Sequence, residues 1–135
     1  MKNIKLFSLI LILTLLISIF HFLGVFLGLY DKGIPIDVPQ HILGGVIFGL
    51  IWIKYGLNNK KFKLLKLFIF ITITSFAVLG SFIWEILEFM IWKTFPVFAS
   101  NFKFYSPTVS EALSDIFGGF IGGILIALAF SFKNK

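Results

Sequence analysis

Five of the six acidic residues in this chain fall in three short pairs: Asp37 with His41, Glu85 with Glu88, and Glu111 with Asp115. Each pair stands at or inside a stretch apolar enough to cross a membrane, where an ionisable side chain costs roughly +2.5 to +3.5 kcal/mol at the bilayer centre on insertion scales. Five carboxylates with one or two histidines cannot all be ionised together in a low-dielectric place, so protons or a cation must neutralise them. A bound divalent metal is the direct remedy, because carboxylate and imidazole are its usual ligands. Glu and His side chains from facing helices build such centres in bundles. The candidate metal ligands are therefore His41, Glu85, Glu88 and Asp115, with Asp37 and Glu111 as further candidates. Glu85 and Glu88 are also the candidate catalytic groups. The familiar HExxH and ExxH patterns are absent.

The elements that must position these residues follow from composition. Hydrophobic residues make up 59% of the 135 positions, charged residues 13%, and the mean hydropathy is +1.02. A soluble domain has a different balance. The length allows about four spans of ~20 residues with short loops and no separate soluble domain. Four apolar runs are legible, at residues 6–29, 39–55, 64–92 and 109–132. Each is expected to be a helix, since backbone polar groups in lipid must be satisfied within their own segment. The expected fold is an all-α membrane protein, a four-transmembrane-helix bundle forming one domain over residues 1–135. The first run is too long for a signal-peptide core and no small-x-small cleavage site follows it, so it is expected to remain as a span.

All twelve basic residues are lysines. Nine of them (Lys2, Lys5, Lys54, Lys60, Lys61, Lys63, Lys66, Lys133 and Lys135) fall on one side of a four-span arrangement, and Lys32, Lys93 and Lys103 on the other. The positive-inside rule then predicts cytoplasmic termini in a plasma-membrane protein, with residues 30–38 and 93–108 outside. The net charge of +6 reads as this topology signal, so nucleic acid is not an expected partner, whereas membrane lipids are. Cysteine is absent, which excludes disulfides, thiolate nucleophiles and cysteine zinc sites. Nothing in the sequence sets an oligomeric state.

This orientation brings the acidic pairs to one depth. Spans two and four start on the outer side and span three ends there, so at 1.5 Å rise per residue His41, Glu85, Glu88 and Asp115 lie within about 12 Å of the outer helix ends. The i,i+3 and i,i+4 spacings put both members of each pair on one helix face. Gly24 with Gly28, Gly45 with Gly49, Gly118 with Gly122 and Gly119 with Gly123 form small-xxx-small faces that let helices approach closely.

Plainer readings stand beside these. Asp31, in Tyr30-Asp31-Lys32-Gly33, belongs to an ordinary turn. Asp37 flanks a helix start marked by Pro39. Glu111 completes Thr108-Val109-Ser110-Glu111, a capping box. His21, alone on an apolar face, reads as a hydrogen-bonded structural residue. The segment 93–108, with Phe95, Phe98, Phe102, Phe104 and Tyr105, reads as an interfacial anchor, and as a lid over the polar pocket in the alternative.

The order Asp37-x-x-x-His41 with Gly44, then Glu85-x-x-Glu88-Phe89, then Glu111-x-x-x-Asp115 and the following glycines, resembles the core of the YjdF-type bacterial inner-membrane proteins. It is also similar, more distantly, to VanZ-like membrane proteins. The resemblance covers roughly residues 30 to 126. Glu111 stands where the YjdF-type pattern usually has Asp, and Phe102 to Pro107 replaces a longer polar run. The resemblance implies a multi-pass membrane protein and no settled activity.

Three functions are compatible with these residues. The first is a metal-dependent enzyme acting on a lipid or cell-envelope precursor at the outer leaflet. The second is a small transporter or proton-coupled carrier using Glu85 and Glu88 as relays, although the inner halves of the spans carry no acid. The third is a structural or accessory membrane subunit.

Overall fold

A computed structural model of the chain describes residues 3–57, 66–104 and 108–133. Lys2, Lys60, Lys61, Lys63 and Lys135 of the orientation count lie outside the described residues, as do Leu64 of the third run and Tyr105, Ser106 and Pro107 of the outer segment. Among the described residues the regular structure is all helical: α1 (Asn3–Phe26), α2 (Asp37–Tyr55), α3 (Lys66–Thr94), α4 (Pro96–Phe102) and α5 (Val109–Lys133). Three of these are long and apolar enough to cross a membrane, over Lys5–Phe26, Lys66–Thr94 and Val109–Ser131. The 19-residue α2 is not one of the three, because Asp37, Gln40 and His41 make its first turns polar.

Helix ends follow local chemistry. The first apolar run was expected to reach Leu29, but α1 stops at Phe26. Gly28 takes a left-handed φ of 63° there, and the Leu29 N–H turns back to the Gly24 carbonyl at 2.9 Å. That is the usual glycine stop after a helix. Gly28 therefore serves a turn, and Gly24 is covered by the Tyr30 and Ile36 side chains instead of by another helix's backbone. From the sequence, residues 93–108 are expected as an outer loop. This segment contains α4, which begins with Pro96 in its first turn, where a missing N–H costs nothing. Lys103 closes α4 in a left-handed conformation, φ 57° and ψ 30°. Thr108 and Glu111 form the expected cap of α5: the Glu111 N–H donates to Thr108 Oγ1 at 3.2 Å, and that hydroxyl donates to Glu111 Oε2 at 3.1 Å.

Helices α2, α3 and α5 pack mutually, α1 lies against α2, and α4 lies against α3. The glycines make the three-helix contact close, because packing in lipid depends on van der Waals fit where backbones approach. On α5, Gly118 faces His41 and Gly122 faces the Ile42 carbonyl, both on α2. Gly123 faces Ala77 and Thr74 on α3. Gly119 lies between the two neighbours, against Ser81 of α3 and with Gly45 of α2 closing on its carbonyl. Phe48 of α2 fills the space left at Gly80. These pairings run 41 to 118 and 49 to 126, so α2 and α5 run the same way, while α3 runs opposite to both. Ile73, Ala77 and Ala127 are fully buried in this seam. Leu15, Leu16 and Ile19 on α1 are more than half exposed, as expected of an apolar helix surface that meets lipid.

Candidate functional site

The same glycine contacts that pull α2, α3 and α5 together set His41 between two carboxylates. Its Nδ1 lies 3.8 Å from Glu85 Oε1 on α3, and its Nε2 lies 3.6 Å from Asp115 Oδ2 on α5. Both separations exceed a direct N–H···O bond, ~2.7 to 3.2 Å. Glu85 is 7% exposed, and neither of its carboxylate oxygens has a hydrogen-bond partner among the described residues. A buried carboxylate left in that state carries its full desolvation cost. His41, Glu85 and Asp115 each offer a ligand atom, and these atoms all lie within 4.8 Å of one another. Small shifts would bring them to the ~2.0 to 2.2 Å at which imidazole and carboxylate hold zinc. The donor set therefore suits a divalent cation.

A cavity of about 280 Å³ opens beside this group. His41 and Asp115 reach its wall, and Asp37 and Glu88 line it as well. The structure thus separates the expected site residues into three. His41, Glu85 and Asp115 converge; Glu88, half-buried, and Asp37, exposed, face the shared cavity; Glu111 is exposed and held in the α5 cap.

The rest of the wall was not legible as a site. From α1 come Thr14, Ser18 and His21, spaced i, i+4 and i+7 and so on one face. Gln40, Ser81 and Trp84 join from α2 and α3, and Lys103 and Phe104 from the segment after α4. Of these, only the spacing of Thr14, Ser18 and His21 was a readable signal.

His21 is the structural residue its sequence setting suggested. Its Nε2 donates to the Phe102 carbonyl at 2.9 Å, so Nδ1 is left to accept from the Tyr30 hydroxyl at 2.8 Å. Gln40 Nε2 in turn donates to the Tyr30 oxygen at 2.9 Å. The imidazole stacks on Phe104, with ring centroids 4.7 Å apart. One ring therefore ties α1, the turn after it, α2 and the end of α4 together. Burial pushes the Tyr30 hydroxyl pKa up from 10.0 to about 12, with the nearby Asp37 charge adding to it. Asp31, read as an ordinary turn residue, accepts from Lys103 Nζ at 2.8 Å and so fastens the outer segment to the turn after α1.

Among curated proteins and among solved structures, none matches the chain. A family model described as a predicted membrane protein (DUF2238) matches residues 1–135. YjdF is a known member of that family, whereas kinship with VanZ-like proteins is not shown. The apolar helices and the match over the whole chain agree, and the chain belongs to the DUF2238 family of predicted membrane proteins.

Proposed function

We propose that this chain is a plasma-membrane protein in which α2 forms a fourth, short membrane-embedded helix and both termini are cytoplasmic. In this reading it binds a divalent metal ion through His41, Glu85 and Asp115 and acts with it on a lipid or cell-envelope precursor reached from the outer leaflet. The observation that carries the reading is Glu85: a buried carboxylate whose two oxygens have no hydrogen-bond partner among the described residues, 3.8 Å from an imidazole that also faces Asp115. A cation resolves that cost more directly than any neighbouring side chain.

The topology draws support from α2, which packs along both α3 and α5 despite its polar start. Lys5, Lys54 and Lys66 lie near one set of helix ends, and Lys32, Lys93 and Lys103 near the other. In the cavity, a bound ion would polarise a phosphoryl or carbonyl oxygen or lower the pKa of water. Glu88, on the wall beside it, is the group placed to meet a substrate. A carrier would need ionisable groups along a path, and no acid lies in the inner halves of the apolar runs.

The test is metal analysis of the purified protein after growth with zinc or manganese. About one ion per chain is expected, falling to background in Glu85→Gln and Asp115→Asn. A wild-type protein with neither bound metal nor saturable uptake on titration would overturn the reading.

A further inference from the structure

We infer that the cavity beside His41 binds an amphiphile whose headgroup carries a cationic amine. The inference rests on the metal reading and names the ligand class for the same site. Four carboxylates, from Asp37, Glu85, Glu88 and Asp115, surround or back the cavity. A divalent ion held by His41, Glu85 and Asp115 offsets two of those charges and leaves Asp37 and Glu88 facing the space. The cation at the rim, Lys103, is already paired with Asp31 at 2.8 Å. The wall therefore keeps a negative balance, which repels a purely anionic headgroup and favours an ammonium.

The aromatic lining agrees. Trp84 and Glu88 are i,i+4 on α3 and so share a helix face, and both line the cavity with Phe22 and Phe104. Aromatic faces beside carboxylates are the chemistry that recognises primary and quaternary ammonium groups. The opposite part of the wall suits an alkyl chain. Ile17, Ile47 and Phe48 are apolar, and the nearby hydroxyls are committed elsewhere. Thr14 donates to the Ile10 carbonyl at 2.9 Å, Ser18 to the Thr14 carbonyl at 3.0 Å, and Ser81 to the Ala77 carbonyl at 3.1 Å. At about 280 Å³ the space is at the lower end of ligand pockets, ~300 Å³, enough for a headgroup and the first methylenes but not a whole lipid.

The experiment is native mass spectrometry of the metal-loaded protein in maltoside micelles with three probes: dodecyltrimethylammonium, dodecylphosphocholine and dodecyl phosphate. The expected result is one bound molecule of either ammonium probe and none of dodecyl phosphate. Glu88→Gln should weaken ammonium binding about tenfold, the scale of one lost charged contact. Gly44→Leu should abolish it, because Gly44 lines the cavity and a Cβ there meets nothing among the described residues within 4 Å, so the side chain would occupy the space. Both variants should keep their metal, which shows that they are folded. Binding of both ammonium probes assigns the site to phospholipid-type headgroups, and binding of dodecyltrimethylammonium alone assigns it to simple cationic amphiphiles. Dodecyl phosphate binding as tightly as the ammonium probes, or unchanged binding in both variants, overturns the inference. Ammonium binding by a wild-type protein that holds no metal after growth with zinc or manganese and takes none up on titration would refute the metal reading alone.

Discussion

His41 Nε2 and Asp115 Oδ2 face each other at 3.6 Å across the seam between α2 and α5, where Gly118 leaves no side chain between them. A Cβ at Gly118 would stand 3.0 Å from His41 Cβ, so a side chain there would require His41 to shift. The glycine stripe of α5 and the polar cluster are thus one device. Close packing sets the distance, and the distance sets what the cluster can hold.

Glu85→Gln should change stability in opposite directions with and without metal. In chelated protein it puts a neutral amide in place of a buried carboxyl that must otherwise be held ionised or take up a proton, so the thermal midpoint should rise, by the equivalent of about 1 to 3 kcal/mol. In zinc-saturated protein it removes a ligand, so the midpoint should fall below wild type. A thermal melt of both proteins in each condition checks this. A rise in both conditions would show that no cation sits at Glu85.

Chelation of the wild-type protein should lower its thermal midpoint, and zinc should restore it in a concentration-dependent way. A ligand at about 100 times its dissociation constant stabilises by about 2.7 kcal/mol when it binds the native state alone. Glu111→Gln should show the same zinc response as wild type, because Glu111 is exposed and engaged in the α5 cap. Differential scanning fluorimetry with a zinc titration reads both.

Gly122→Ala should destabilise the bundle strongly, whereas Gly44→Ala should be tolerated. A Cβ at Gly122 meets the Ile42 carbonyl and lies 2.9 Å from the Val46 nitrogen, and backbone cannot swing aside. Overpacking of this kind costs typically about 1 to 3 kcal/mol. A Cβ at Gly44 meets nothing among the described residues within 4 Å beyond its own helix backbone. Detergent-resistance or unfolding midpoints of the two variants should differ by several degrees, and equal midpoints would contradict the close approach of α2 and α5.

Tyr30→Phe should narrow its stability gap to wild type as pH rises. The Tyr30 hydroxyl holds its proton to about pH 12 in the folded chain against 10.0 in an unperturbed one, mainly through burial. A folded pKa raised above the unfolded value gives stability that is complete below pH 10 and lost between about pH 10 and 12. Below that window the hydroxyl still donates to His21, and Phe cannot replace that bond. Melts of both proteins across pH 9 to 12 check the convergence. A constant gap would show that the Tyr30 proton plays no part in the hub.

The membrane character, the helical class and the pairing of the acids were readable from sequence because each depends on local composition or on spacing along one helix. Continuous apolarity requires helices in lipid, and i,i+3 or i,i+4 spacing sets a shared face without reference to neighbours. The Thr108–Glu111 cap was legible for the same reason. Which acids meet was decided by tertiary structure. Glu85 and Glu88 lie one turn apart on α3, yet only Glu85 faces His41 and Asp115, because Ser81 against Gly119 and Phe48 against Gly80 set the rotation of α3. The roles of Tyr30, Gln40 and Lys103 were equally hidden, since Tyr30 and Gln40 meet only where the turn after α1 packs on α2, and Lys103 meets Asp31 only where the outer segment returns to that turn. Spacing determines faces, but helix rotation and chain return arise from side-chain packing between elements distant in sequence, and no single stretch of residues encodes them.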